Sequence, residues 1–274
     1  MSAKLLLLVA LTAVVGLAVD VHTDIVGQAI ESVAVWGVLF YILRRVEHDV
    51  RRSAMVCLVA ATAGEMFLSL GWGLYTYRLG NIPLFVPPGH VLLLLVGLSV
   101  ARRMPEATAN AIIGLVGIYS IGAAAAGVDT FGVALFLIVG VAWLAMPTQR
   151  RLYASTLVVS LAVELYGTWL GNWTWAGEVP GIALVTSNPP GAAGAFYCAL
   201  DALVAATSLQ VLPHLSALTV RWKSNVLGKR CTRWKVGRVT QWNSSHLAVA
   251  LTFIRPLLQM LSRDRSSNVR IAKP

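Results

Sequence analysis

Two stretches of this chain repeat the same motifs in the same order, and they decide its fold. Residues 64–90 read GEMFLSLGWGLYTYRLGNIPLFVPPGH, and residues 163–194 read VELYGTWLGNWTWAGEVPGIALVTSNPPGAAG. Each stretch has a glutamate in an apolar segment, a Leu-Gly pair, two aromatic residues around a threonine, an Ile-Pro or Val-Pro pair and a final Pro-Pro-Gly. Self-similarity of this kind is typical of a structural repeat. We therefore predict two related halves.

The composition around these stretches is that of a membrane protein. Of the 274 residues, 57% are apolar and only 12% are charged, and the mean hydropathy is +0.71. Soluble domains carry about 25% charged residues. The composition therefore excludes an ordinary soluble fold and a disordered chain, and it predicts an all-α, polytopic membrane helical bundle.

About eight apolar segments can serve as membrane spans, each of which needs roughly 20 residues. They are residues 3–19, 25–43, 53–74, 89–101, 108–126, 130–147, 152–171 and 192–213. Four spans per half predicts a parallel four-plus-four repeat, with the loops after spans 3 and 7 on one side. The first segment could instead be a signal peptide. Its end, GLAVDVH, lacks a small-x-small cleavage pattern, and this favours a retained helix.

Basic residues between the spans predict the orientation. They follow every second span, as Arg44, Arg45, Arg51 and Arg52, then Arg102 and Arg103, then Arg150 and Arg151. Because cytoplasmic loops carry an excess of lysine and arginine, an even number of spans with both termini in the cytoplasm satisfies the whole pattern. We expect a multi-pass protein of a bacterial inner membrane.

The net charge of +10 is concentrated in the C-terminal tail. We divide the chain into a transmembrane bundle, 1–214, with halves 1–104 and 105–214, and a basic cytoplasmic tail, 215–274, in which Asp264 is the only acidic residue. Segment 246–262 can lie on the membrane as an interfacial helix and bind anionic lipids, or the tail can be disordered. Nucleic acid is not an expected partner, because the bundle itself is nearly neutral.

Three acidic residues lie near the middle of predicted spans, namely Glu65, Glu164 and Asp201. A charged carboxylate at this depth costs at least about 2.5 kcal/mol, so such residues face the bundle interior and are functional candidates. Apart from Lys4 at the very start of the first segment, no lysine or arginine lies within the spans to pair with them. Burial without a cation favours the neutral carboxyl, so we expect at least one to keep a proton that it can donate. The alternative is that the acids only link helices through hydrogen bonds.

Aromatic residues gather at the outer ends of spans 3 and 7. They are Trp72, Tyr75, Tyr77, Trp169, Trp173 and Trp175. They can form an interfacial aromatic belt, or they can line a substrate cavity, since aromatic faces stabilise a carbocation as they stabilise an ammonium ion. His90 is a candidate hydrogen-bond partner in that cavity, and Asn188 a candidate ligand for water.

Motifs of several other chemistries are missing from the sequence. The histidines form no H-x-x-H or H-x-x-x-H pair, and Cys57, Cys198 and Cys231 have no C-x-x-C spacing, so neither a metal site nor a disulfide framework is predicted. There is no Walker loop, dinucleotide fingerprint or G-x-S-x-G elbow. We therefore predict no cofactor.

The second half resembles the integral membrane carotenoid hydratases, sometimes called the CruF family. The likeness lies in Glu164, Gly167, Gly171, Trp173, Trp175, Val179-Pro180, Asn188 and Gly191. In the first half, Glu65, Gly71, Tyr75, Tyr77 and Ile82-Pro83 are similar to the same pattern. The resemblance covers about 60 of the 274 residues, and the transmembrane terpene cyclases are a looser likeness.

The resemblance and the buried acids together predict one kind of chemistry. An intramembrane acid, Glu164 or Glu65 with help from Asp201, protonates an alkene of a lipid-soluble isoprenoid. Water then captures the cation in a hydratase, or a second alkene captures it in a cyclase. The two glutamates are expected to face one shared chamber. The alternatives are a proton-coupled transporter or channel for a small substrate and a non-catalytic assembly protein; the oligomeric state is left open.

Overall fold

The structure is a computed structural model that describes residues 1–210, and within them the chain is predominantly α-helical. Its eight α-helices are α1 (Ala3–Asp20), α2 (Ile25–Leu43), α3 (His48–Glu65), α4 (Val86–Ala101), α5 (Glu106–Ala125), α6 (Phe131–Ala145), α7 (Arg150–Leu170) and α8 (Gly194–Gln210). Two short strands, β1 (Tyr75–Tyr77) and β2 (Trp173–Trp175), follow α3 and α7.

Several of these helices are suited to cross a membrane. Four are long and apolar enough, namely α1, α2, α5 and α3 with its continuation to Gly71. The α6 and α7 helices are bent by 111° at the break between them and make a fifth span if they are counted together. Large apolar side chains such as Ile30, Val33, Leu115 and Ile118 are exposed, as expected for surfaces that face lipid. The chain is a helical membrane protein, and the finer count of eight spans stays a prediction.

The eight predicted segments coincide closely with the eight helices. The largest differences are in α3, which begins at His48 rather than at residue 53 and ends at Glu65, with a π-helical continuation to Gly71, rather than at residue 74. The α4 helix, whose segment is short for a span, begins within the Pro-rich stretch, with Pro87 and Pro88 in its first turn. Proline is favoured there because the first helical N–H groups have no partner within the helix.

Local sequence explains where the two repeated helices stop. After Glu65, α3 continues as a π-helical turn, Met66–Gly71, in which the Trp72 N–H donates to the carbonyl of Phe67 at 2.7 Å. The α7 helix ends at Leu170. The next residue, Gly171, has a φ of +87°, a left-handed conformation that glycine adopts without strain. Both helices therefore end within a few residues of the strand that follows.

The strands β1 and β2 pair with each other, which brings the two repeated stretches to one end of the bundle. They are antiparallel, with Thr76 opposite Thr174 at the centre. The ladder continues on both sides, because the Arg78 N–H donates to Asn172 and the Ala176 N–H donates to Leu74, each at 2.9 Å. The aromatic residues of the two stretches therefore share one small sheet.

Asp20, at the end of α1, attaches the first two helices to this sheet. Its carboxylate is buried and accepts hydrogen bonds from Gln28 at 2.9 Å and from Asn172 at 2.8 Å. The Arg78 guanidinium lies 3.7 Å from the same carboxylate and also donates to the Asp20 carbonyl. The cluster therefore links the α1–α2 hairpin to β1 and β2.

Asp129 holds the loop that leads into α8. One carboxylate oxygen accepts from the Gly132 N–H at 2.8 Å, at the start of α6. The other accepts from the Gly191 N–H at 2.9 Å and from the Ser187 hydroxyl at 3.1 Å. The second Pro-Pro-Gly element is thus anchored to the first turn of α6, which fixes where α8 begins.

The predictions for the tail, 215–274, including the interfacial segment 246–262 and its binding of anionic lipids, lie outside the described residues. The boundary at residue 214 lies outside them as well.

We expect Asp20→Ala to destabilise the protein by about 3 kcal/mol, because it leaves a partly buried arginine and two buried amides without their carboxylate. Asp24→Ala is the matched control. Asp24 caps α2 at an exposed site, where the loss of the cap costs about 1 kcal/mol. Thermal unfolding in detergent measures both variants, and equal losses of melting temperature would contradict the assigned role of Asp20.

Candidate active site

Glu65 is buried at the end of α3 and is bound by three side chains of its own half. Its exposed fraction is 5%. The hydroxyls of Tyr75 and Tyr77 donate to Oε2 at 2.9 and 2.7 Å. His90, in the first turns of α4, places Nε2 2.8 Å from Oε1. Both carboxyl oxygens therefore have close polar partners.

Glu164 is buried on α7 in a matching arrangement from the second half, with an exposed fraction of 6%. The indole N–H groups of Trp173 and Trp175 donate to Oε2 at 2.9 and 3.1 Å. Tyr197, in the first turns of α8, donates its hydroxyl to Oε1 at 3.3 Å. Each glutamate thus has two partners from a strand and one from the helix that begins at or just after its Pro-Pro-Gly element.

The strand geometry explains why two aromatic residues reach each carboxyl. Successive side chains of a strand point to opposite faces. Tyr75 and Tyr77 are therefore buried on one face, as are Trp173 and Trp175, whereas the threonines between them are exposed. The aromatic-Thr-aromatic motif is the sequence signal for this arrangement, and these four residues do not form an exposed belt.

His90 and Tyr197 bring the two glutamate clusters together. Their ring centroids lie 4.7 Å apart with an interplanar angle of 30°. Across the sheet, the rings of Tyr75 and Trp175 lie 5.0 Å apart. Each carboxyl is held by side chains of its own half, and the two halves meet through aromatic rings. The shared chamber stays a prediction.

One atom at this junction has no polar partner. His90 Nδ1 is buried and makes no hydrogen bond, although Nε2 of the same ring is bound to Glu65. Tyr197, whose ring packs against His90, donates to Glu164 Oε1 at 3.3 Å. This is the longest of the hydrogen bonds to the two glutamates. The junction therefore holds one loosely bound carboxyl oxygen and one free imidazole nitrogen.

The other predicted site residues are more distant from this chemistry. Asp201 is buried on α8 and accepts from the Thr156 hydroxyl at 2.8 Å, which makes it a link between α7 and α8. Asn188 accepts from the Trp175 backbone N–H at 3.0 Å, so it positions β2. Trp72 donates to the Pro180 carbonyl at 2.8 Å. Trp169 is 78% exposed and is not part of the cluster.

Tyr197 is the site residue that the sequence analysis did not select. Its spacing of four residues before Asp201 places it on the same helical face as that acid, but nothing in the sequence indicates that it reaches Glu164. Within residues 1–210, no group of three or more histidine, cysteine, aspartate or glutamate side chains is arranged to hold a metal ion.

Glu31 lies apart from the cluster. It lines an apolar groove of about 450 Å³ between α1 and α2, together with Gly16 and Val35. Its Oε2 atom is buried without a hydrogen-bond partner.

No protein-family model, curated protein or solved structure matches this chain.

We expect Gly167→Ala to disrupt the Glu164 cluster, because a Cβ atom there would overlap the Trp173 ring. The indole has to move, and its hydrogen bond to Glu164 is lost; overpacking of this kind costs about 1–3 kcal/mol. Gly140→Ala, in α6, is the matched control, since its new Cβ meets no atom within 4 Å. Thermal unfolding in detergent compares the two, and a Gly167→Ala protein as stable as the control would contradict the packing described here.

Proposed function

We propose that this protein is a membrane enzyme that protonates an alkene of a lipid-soluble isoprenoid, after which water or a second alkene captures the cation. The observation that carries the proposal is the pair of buried glutamates, each bound by aromatic donors and brought together at the His90–Tyr197 contact. A general acid of this kind contributes typically 10²- to 10⁴-fold to a rate.

The surroundings of the glutamates suit a cationic intermediate. The rings of Tyr75 and Trp175 lie 5.0 Å apart beside the carboxyls, and Trp175 also stacks on Phe196 at 6.3 Å. Aromatic faces attract positive charge, and fixed hydrogen-bond donors keep the acids in place without reorganisation during the reaction. The site therefore combines a proton source with surrounding aromatic rings that favour a carbocation.

We also infer that the bundle has eight spans in a parallel four-plus-four repeat, with cytoplasmic termini, in a bacterial inner membrane. The observations that support it are the helices at the predicted positions and the pairing of equivalent strands around Thr76 and Thr174. The arginine pairs at the ends of α2 and α4 and at the start of α7 support the orientation.

We also propose that the substrate is a carotenoid or a similar polyprenoid. This follows from the resemblance to the membrane carotenoid hydratases, whose two-aromatic motif corresponds here to the residues that bind Glu65 and Glu164. Asp201 then supports the bundle beside the site rather than donating the proton, since its partner is Thr156.

A proton-coupled carrier is the second candidate. The observation that favours it is the π-helical turn directly after Glu65, because helices interrupted beside an intramembrane acid also occur in transporters.

We expect Glu164→Gln to lower product formation by about 10²- to 10⁴-fold. The glutamine keeps the shape of a protonated carboxyl, and its amide oxygen can still accept from both indoles, so the fold is retained. The full chain is expressed in cells that contain lycopene or squalene, and the extracted prenyl lipids are analysed by mass spectrometry. A hydratase adds 18 mass units to the substrate, whereas a cyclase gives an isomer of unchanged mass.

Tyr153→Phe is the matched control, because Tyr153 is buried and its hydroxyl contacts Met146 rather than a glutamate. The control should form product as the wild type does. The proposal is overturned if neither lipid is converted by the wild type, or if Glu164→Gln forms product at the wild-type rate. Proton-driven uptake into vesicles that is lost in Glu164→Gln, without any lipid product, would establish the carrier instead.

A further inference from the structure

We propose, on the basis of the proposed function, that the two glutamates have different roles. Glu164 is the acid and carries its proton on Oε1, whereas Glu65 is an ionised carboxylate that orients His90, whose Nδ1 is the base. The inference rests on which partners donate hydrogen bonds and which nitrogen has none.

The partners of Glu164 determine where its proton lies. An indole N–H only donates, so the two tryptophans leave Oε2 as an acceptor with both of its hydrogen-bonding positions filled. A proton on this carboxyl must therefore be on Oε1. The single contact of Oε1, to Tyr197 at 3.3 Å, is the longest in the site, which makes it the bond that a substrate displaces most readily.

The partners of Glu65 favour the opposite protonation state. Two phenol hydroxyls and an imidazole nitrogen surround it at 2.7–2.9 Å. An ionised carboxylate accepts all three hydrogen bonds, and such charge-assisted bonds are short. Glu65 is thus fitted to remain a carboxylate.

The unpartnered nitrogen of His90 fixes its tautomer. Nδ1 is buried without a hydrogen bond, and a buried N–H without an acceptor is rarer than a buried acceptor without a donor. The proton of the neutral ring therefore lies on Nε2, where Glu65 accepts it, and Nδ1 keeps its lone pair. A carboxylate that orients a histidine in this way also stabilises the imidazolium that forms when the histidine takes a proton.

The two roles complete a balanced reaction. The Oε1–H bond of Glu164 breaks, and the alkene π electrons form a C–H bond with that proton, which leaves a cation on the neighbouring carbon. A water oxygen forms a C–O bond to the cation and transfers one proton to His90 Nδ1. Return of that proton from the imidazolium to the Glu164 carboxylate restores the enzyme, so alkene and water give an alcohol. In a cyclisation, Nδ1 removes a proton from carbon and the C–H electrons form the new double bond.

Tyr197 is a positioning residue in this scheme. Its hydroxyl contacts Glu164 Oε1 while its ring lies against His90. It therefore keeps the acid of one half next to the base of the other.

Spectroscopy of the purified full-length protein tests both protonation states without any substrate. Infrared spectra should show a protonated-carboxyl band that is absent from Glu164→Gln and present in Glu65→Gln. Nitrogen NMR of ¹⁵N-histidine-labelled protein, with His90 identified by its loss in His90→Gln, should show the proton on Nε2. A carboxyl band that persists in Glu164→Gln but disappears in Glu65→Gln, or a proton on Nδ1, overturns the assignment.

Activity provides a second test through His90→Gln, for which His48→Gln is the control because His48 is exposed. We expect His90→Gln to lower product formation by about 10²-fold or more while it keeps the infrared band of Glu164, which a merely misfolded protein would lose. Equal activity of the two variants overturns the role of His90. If the wild type forms no product from lycopene or squalene, the proposed function fails, and the two spectra still test the assigned protonation states.

Discussion

A carboxyl group inside an apolar helix must find hydrogen-bond donors, and this constraint organises one end of the bundle. Glu65 and Glu164 are both buried, and the chain after each helix turns back as a short strand whose aromatic residues donate to the carboxyl. The strands then satisfy their own backbone groups by pairing with each other. The small sheet is thus a consequence of burying two acids.

The two glutamate clusters are built alike, and their differences are therefore meaningful. One half has Tyr75 and Tyr77 where the other has Trp173 and Trp175. A phenol can accept a hydrogen bond, whereas an indole N–H can only donate one. The same backbone arrangement therefore creates two unlike environments for one residue type. Duplicated sites that differ only in their donors can divide acid and base roles between them, as environments do for paired carboxyls in enzymes.

Much of this fold follows from the sequence, and the reasons are local. The apolar segments predict all eight helices of the described residues, and Pro87 and Pro88 account for the start of α4. The aromatic-Thr-aromatic motifs predict that four aromatic residues act together. The break between α6 and α7 coincides with Pro147, which cannot continue a helix, whereas the angle of 111° depends on how the two helices pack.

The candidate site was predicted less completely, because tertiary contacts decide it. Glu65, Glu164 and His90 can be selected from their position in the sequence, but the roles of Tyr197 and Asn188 depend on tertiary contacts that no sequence pattern specifies. Trp169 follows the same aromatic rule as Trp173 and yet points outward, since it still belongs to α7 and lies on the exposed face of that helix. The sequence indicates which residues are candidates for the site, whereas the fold decides which of them come into contact.

The Asp20 cluster has a practical consequence for producing the protein. Asn172, Trp173 and Thr174 form an Asn-x-Thr acceptor for N-linked sugars. The Asn172 side chain is only 2% exposed, and its amide nitrogen donates to the Leu17 carbonyl and to Asp20. A glycosylating enzyme cannot reach that nitrogen once the chain has folded, so a eukaryotic host whose secretory pathway folds the protein first will deliver it without a glycan at this position.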